Sequence, residues 1–425
     1  MVIHVVQPGE SLYSIAVAYQ VPMSLLIALN GLKEPSRLAV GQALVIRRPR
    51  STVTVCFGDS LYSIAQAAGT TVRQLYRNNP ALGGISSIWP GQTLVLSYED
   101  DPGQEADVFG YAYPNVDRGL LRSTLPFLRW MMPFSYQVTE AGTLAPLDDQ
   151  ALISLSEQYL TAPVMHLSNL NDDGFSTDLA ALVLRDQAAQ DRLVEQVLEV
   201  LRSRGYQGLD VDFEYVAAQD SQAYAAFLSR LHGLLRPMGL PLFAALAPKV
   251  RADQSGALYE GHDYRRIGQA VDGALLMTYE WGYSYGPPMA VAPLPSVRQV
   301  VEYAVTEIPP SKLFLGIPAY GYDWPLPYQQ GVTRSRSLSP EAAVNLAVRY
   351  GSAIQYDETA QTPWFRYRAP DGVIHEVWFE DARSIQAKLE LVRAYQLQGA
   401  GYWNLMRPFP QNWPVLDASF RLQLP

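Results

Sequence analysis

Cysteine is nearly absent. Cys56 is the single one in 425 residues, so no intrachain disulfide can form. Histidine is sparse: His4, His166, His232, His262 and His375 fall at no metal-ligand spacing, and neither a metal nor an organic cofactor is expected. Basic residues are outnumbered, with 32 Lys and Arg against 41 Asp and Glu, which argues against nucleic acid as a partner. The net charge of −9 is unevenly spread: residues 1–98 carry seven basic against three acidic side chains (+4), leaving −13 for the rest. No apolar run is long enough to cross a bilayer, so no membrane is expected as a partner. The opening Met-Val-Ile-His-Val-Val-Gln-Pro-Gly lacks the basic and apolar regions of a Sec signal peptide. What the chain does have is apolar mass and aromatics: 48% hydrophobic, with 26 Tyr and 8 Trp. That fits a globular protein of two or three domains with stacking surfaces as well as a core.

An internal repeat opens the chain. Val5-Val6-Gln7-Pro8-Gly9-Glu10-Ser11-Leu12-Tyr13-Ser14-Ile15-Ala16 returns as Val53-Thr54-Val55-Cys56-Phe57-Gly58-Asp59-Ser60-Leu61-Tyr62-Ser63-Ile64-Ala65. Each copy continues through an amphipathic stretch to an Asn (Asn30; Asn78 and Asn79). It closes on Val40-Gly41-Gln42-Ala43-Leu44-Val45-Ile46 or Pro90-Gly91-Gln92-Thr93-Leu94-Val95-Leu96. Each unit reads as strand–helix–helix–strand, with Ser11 and Ser60 as helix N-caps after a Gly turn. The units, 2–48 and 51–97, resemble the LysM module, and that resemblance implies binding of N-acetylglucosamine-containing glycans such as peptidoglycan and chitin. Residues 98–106 are polar and acidic and read as a linker.

From 107 to 425, apolar runs alternate with helical patterns. Strands are expected at 108–113, 130–136, 163–168, 208–214, 242–247, 273–279, 313–318 and 400–405. Helical patterns such as 188–202, 222–236, 296–306 and 382–396 lie between them, which predicts an α/β fold, a (β/α)8 barrel. The stretch 322–378 is too long for a loop and reads as a small α+β insertion after the seventh strand, walling a cleft.

The fourth strand holds the chemistry. In Gly208-Leu209-Asp210-Val211-Asp212-Phe213-Glu214, three carboxylates alternate with three apolar residues. Alternate side chains share one face of a strand, roughly 6–7 Å apart, so the acids line one face while Leu209, Val211 and Phe213 bury the other. Adjacent like charges are costly unless one carboxyl keeps a proton, and a held proton suits glycoside hydrolysis. Glu214, nearest the barrel mouth, is the expected general acid.

Leu209-Asp210-Val211-Asp212-Phe213-Glu214 resembles the DxDxE signature of glycoside hydrolase family 18, with Gln207 where the fuller pattern has a further Asp. The resemblance implies substrate-assisted, retaining hydrolysis, in which the sugar's own 2-acetamido oxygen attacks its anomeric carbon. Asp212 would then hold the acetamido N–H, and Asp210 would share a proton with Asp212. Leu276-Met277-Thr278-Tyr279-Glu280-Trp281 resembles the family's sixth-strand motif, implying that Tyr279 donates to the acetamido oxygen and that Met277, Glu280 and Trp281 line the substrate. Glu280 stands where the family usually has Asp. Tyr402-Trp403-Asn404 resembles the eighth-strand motif whose Trp floors the sugar site. Tyr111, Lys249 and Tyr320, at other strand ends, are further substrate candidates.

Two LysM units, this barrel, Tyr279–Pro288 and Pro408-Phe409-Pro410-Gln411-Asn412-Trp413 together resemble the cortical fragment-lytic N-acetylglucosaminidases of endospore formers. That implies a monomeric hydrolase of β-1,4 bonds after N-acetylglucosamine in peptidoglycan, associated with the spore or cell wall. Muramic lactam has its amide tied into a ring and lacks the nucleophile. A chitinase, or a glycan-binding lectin that has lost catalysis, are the competing expectations.

Overall fold

A computed structural model describes residues 1–424. Each N-terminal unit folds as its repeat predicts. The first runs Val2–Val5, Leu12–Tyr19, Met23–Asn30 and Ala43–Ile46; the second runs Pro49–Thr54, Leu61–Ala67, Val72–Asn78 and Thr93–Tyr98. In both, the two strands pair antiparallel. Ser11 and Ser60 cap their helices and exchange hydrogen bonds with Ser14 and Ser63, satisfying amides the helix starts leave open. The repeated Asn is a clip. Asn30 donates to Leu26 O and Val45 O and accepts from Val45 N; Asn79 does the same with Leu75 O, Val95 O and Val95 N.

Eight parallel strands follow: Gln104–Ala112, Trp130–Pro133, Met165–Ser168, Leu209–Asp212, Leu242–Leu246, Gly273–Leu276, Leu313–Pro318 and Gly399–Trp403. They pair in order and the eighth returns to the first. The ring closes where Ala162–Pro163 pairs the second strand just before Met165–Ser168 pairs the fourth. Strands buried on both faces read as continuous apolar runs, which is why all eight were legible. Outward residues such as Leu209, Val211 and Phe213 join one large core with the surrounding helices. Inward residues make a second, aromatic core: Phe109, Trp130, Phe243 and Phe314 pack edge-on, with Phe109 and Phe314 at 5.1 Å and Trp130 and Phe243 at 5.0 Å.

The insertion is a five-stranded antiparallel sheet, from Gly321–Leu326 to Ile374–Trp378, with the helix Pro340–Tyr350 packed on it. It stands against the barrel through Tyr320, Tyr322 and Trp324.

The segment expected as a linker, 98–106, is held by hydrogen bonds and ion pairs at its start. Tyr98 ends a strand, Gln104 begins the first barrel strand, and the segment between is pinned rather than loose. Asp100 accepts from Arg47 Nε at 2.7 Å, and the same guanidinium reaches Asp417 at 3.0 Å and covers the Tyr98 ring at 3.9 Å. Arg77 lies 3.7 Å from Asp417, and Arg73 donates to the carbonyls of Pro126 and Tyr159. The positive charge of the N-terminal region is thus partly spent on a buried seam with the barrel.

Candidate active site

The fourth strand ends at Asp212, two residues earlier than the alternation predicts. The row of acids nevertheless persists. Asp210 and Asp212 are buried, pointing away from Leu209 and Val211, and Glu214 is half-buried at the rim. Beyond the strand, Tyr215 takes φ +54°, which turns the chain away. Two residues outside any motif hold this turn. Asn169 donates to Glu214 O at 2.8 Å and accepts from Glu214 N at 2.9 Å, gripping both sides of that residue's backbone. His262 accepts the Ala247 amide on Nδ1 at 3.0 Å, so its Nε2–H donates to Phe213 O at 2.9 Å. Burial pushes the His262 pKa down to about 4, which keeps the ring neutral in that role.

Electrostatics separates the three acids. Burial, and then the charge of Asp212, push the Glu214 carboxyl well above the ordinary range, so it retains a proton. Burial pushes Asp210 up to about 6, against the opposing pull of His166 and the hydrogen bond from Tyr111. Tyr279 lies in the field of Asp212 and Glu214, and burial raises it well above a free phenol, so it remains a hydroxyl donor. Among the described residues no His, Cys, Asp or Glu cluster has the arrangement of a metal site.

The structure brings Tyr279, Met277 and Trp403 to the same inner cluster beside the aspartates. Trp403 rests edge-on against Phe134 at 4.9 Å and Tyr111 at 5.7 Å, leaving it partly exposed. Glu280 takes φ +68° and accepts from the hydroxyls of Tyr320 and Tyr322, the latter at 3.0 Å, which ties the sixth strand to the insertion wall.

Three expected substrate residues are placed otherwise. Tyr111 is buried and donates to Asp210 Oδ2 at 2.9 Å, which supports the aspartate. Lys249 is buried with Nζ on His262 O at 3.1 Å, and the acids around it are Asp263, Asp253 and Glu260, not the strand's own. Trp281 packs against the outer core, its backbone N–H on Val291 O. A cavity of about 430 Å³ between the first N-terminal unit, the insertion helix and Phe409 holds none of the strand acids.

Comparison with known proteins shows the family and the relatives of the whole chain. The family described as Glycosyl hydrolases family 18 matches residues 171–407, and the LysM domain matches 4–47 and 53–97. The chain is 40% identical over 430 residues to the cortical fragment-lytic enzyme of Bacillus subtilis (strain 168), covering 99% of each. Its structure resembles the spore cortex-lytic enzyme SleL of Bacillus megaterium QM B1551 (TM-score 0.84, 34% identity, 100% of this chain and 99% of that one). It also resembles SleL of Bacillus cereus (TM-score 0.85, 36% identity, 100% and 98%).

Proposed function

The chain belongs to the glycosyl hydrolases family 18 and is a glycosidase with two LysM domains, and on that premise we propose that it cleaves spore-cortex peptidoglycan fragments after N-acetylglucosamine, with retention. The observation that carries the reading is the Asp210–Asp212–Glu214 row, in which the outermost acid keeps its proton and the inner two are buried. Glu214 protonates the glycosidic oxygen as the bond to the anomeric carbon breaks. The acetamido oxygen of the same sugar closes on that carbon, and Asp212 stabilises the N–H of the resulting oxazolinium ion. Tyr279 donates its hydroxyl to the acetamido oxygen, and Trp403 stacks under the sugar ring. Glu214, now a carboxylate, takes a proton from water, which opens the ring of the intermediate and restores the original configuration.

Whole-chain likeness to cortical fragment-lytic enzymes supports peptidoglycan over chitin, and the LysM units support attachment to either glycan. The protein is proposed to act as a monomer at the spore or cell wall. The test is incubation with muropeptide fragments and with chitooligosaccharides, identifying the new reducing ends. N-acetylglucosamine ends from muropeptides are expected. Efficient chitin cleavage with inert muropeptides overturns the substrate, and cleavage of neither supports a lectin.

A further inference from the structure

One buried side chain in the barrel has no role in the mechanism above. His166, on the third strand, is 1% exposed, and the strand register sets it opposite Asp210. Its Nε2 lies 3.6 Å from Asp210 Oδ2 and 3.5 Å from Asp212 Oδ2. Neither ring nitrogen has a hydrogen-bond partner, and the Oδ1 atoms of both aspartates are also orphaned. Buried polar atoms are nearly always paired, so four orphans in one spot mark a place organised for something other than stability. The ring is not free to leave: Phe134 packs on it at 4.6 Å and the edge of Tyr111 at 5.2 Å. The three side chains do not form a metal-holding group among the described residues.

We infer that His166 is a positioning residue of the hydrolytic site, directing one N–H between Asp210 and Asp212 so that the pair keeps a negative charge and Asp212 keeps its inward seat. An imidazole nitrogen facing two carboxylate oxygens must carry the hydrogen. The present distances exceed an ordinary hydrogen bond, and such catalytic contacts shorten when substrate closes the site. His166 is the one basic side chain within ion-pair range of either aspartate among the described residues. The other titratable groups around this centre are Tyr111 on the first strand, Glu214 beyond the fourth, Tyr279 beyond the sixth, and Tyr224 and His262, which pack behind the fourth strand. Apart from His262, which burial keeps neutral, these are acids, so removing the imidazole leaves the Tyr111 hydrogen bond as the one contact among them that favours an ionised Asp210.

The inference rests on the proposed roles of Asp212 and Glu214, and the experiment separates the two. Full-length His166→Leu and His166→Gln are compared with the parent and with Glu214→Gln on muropeptide fragments, recording kcat, KM and the pH profile of kcat/KM. His166→Leu is expected to lower kcat by ~10–100-fold with KM nearly unchanged, and to move the acid limb upward by about one pH unit. His166→Gln, which restores an N–H without a titratable ring, is expected to recover most of kcat while keeping the displaced limb. An acid limb that stays in place in His166→Gln overturns the inference, even if His166→Leu does not fold. An active Glu214→Gln instead overturns the mechanism on which it rests.

Discussion

Two clusters of buried charge lie in this molecule, and they are built on opposite terms. At the seam, Arg47 and Arg77 meet Asp100 and Asp417, and the geometry is closed by hydrogen bonds at 2.7 and 3.0 Å and by the Tyr98 ring. In the barrel, two aspartates face one imidazole, and four polar atoms are left without partners among the described residues. Both sets of charges have been taken out of water at a cost of several kcal/mol per ion, by general expectation. The seam recovers part of that cost through opposite charges, although burial still pulls Arg77 below the usual guanidinium range. The mouth does not, and the imbalance appears as displaced proton affinities. Buried charge that is satisfied holds domains together, whereas buried charge left unbalanced is available for proton transfer.

The contrast breaks most visibly at Glu214. Glu214→Gln is expected to lower kcat by about 10³-fold without lowering the thermal unfolding temperature, read by reducing-end release and calorimetry. The seam should behave in reverse. Asp417→Ala leaves Arg47 and Arg77 without a shared anion and should cost about 3 kcal/mol in denaturant unfolding, with kcat per folded molecule intact. Tyr279→Phe removes one donor from the reacting amide and should reduce kcat by roughly 10²-fold at unchanged stability.

The smallest effect is the sharpest discriminator. Asp210 has a folded pKa raised to about 6 from 3.8, so the folded state holds its proton longer than the unfolded chain does. Stability from this group is therefore greatest at acid pH and is lost as pH rises from about 4 to about 6. Asp210→Asn should then gain about 1–3 kcal/mol at pH 7 and nothing near pH 4, while activity falls. A mouth organised for stability, like the seam, would lose stability at both.

Most of the frame was legible because its causes are local. Barrel strands announce themselves as apolar runs, Ser11 and Ser60 as caps, and the three acids by alternation. The insertion was legible from its length, and the structure gives it a five-stranded sheet. What escaped is set by pairing between distant segments. Asn169, His166 and His262 carry no pattern of their own; only strand register and loop return bring them to Glu214, Asp210 and Phe213. Lys249 looked like a ligand contact because a cation at a strand end usually faces the mouth, yet a nearby carbonyl claimed it. The acidic stretch after Tyr98 read as solvent linker because its partner Arg47 lies 53 positions from Asp100 and Asp417 far beyond it.

That pinned stretch makes the N-terminal units a ruler in place of a tether. A loose tether lets a catalytic body sweep all the positions its length allows, at an effective concentration set by the polymer. With Asp100 locked to Arg47 and Arg47 to Asp417, the angle and span between the units and the cleft belong to the folded state. On the proposed function, a glycan strand held by the units would meet the cleft at one fixed offset. Loosening the seam would exchange that measured reach for a wider and less selective one.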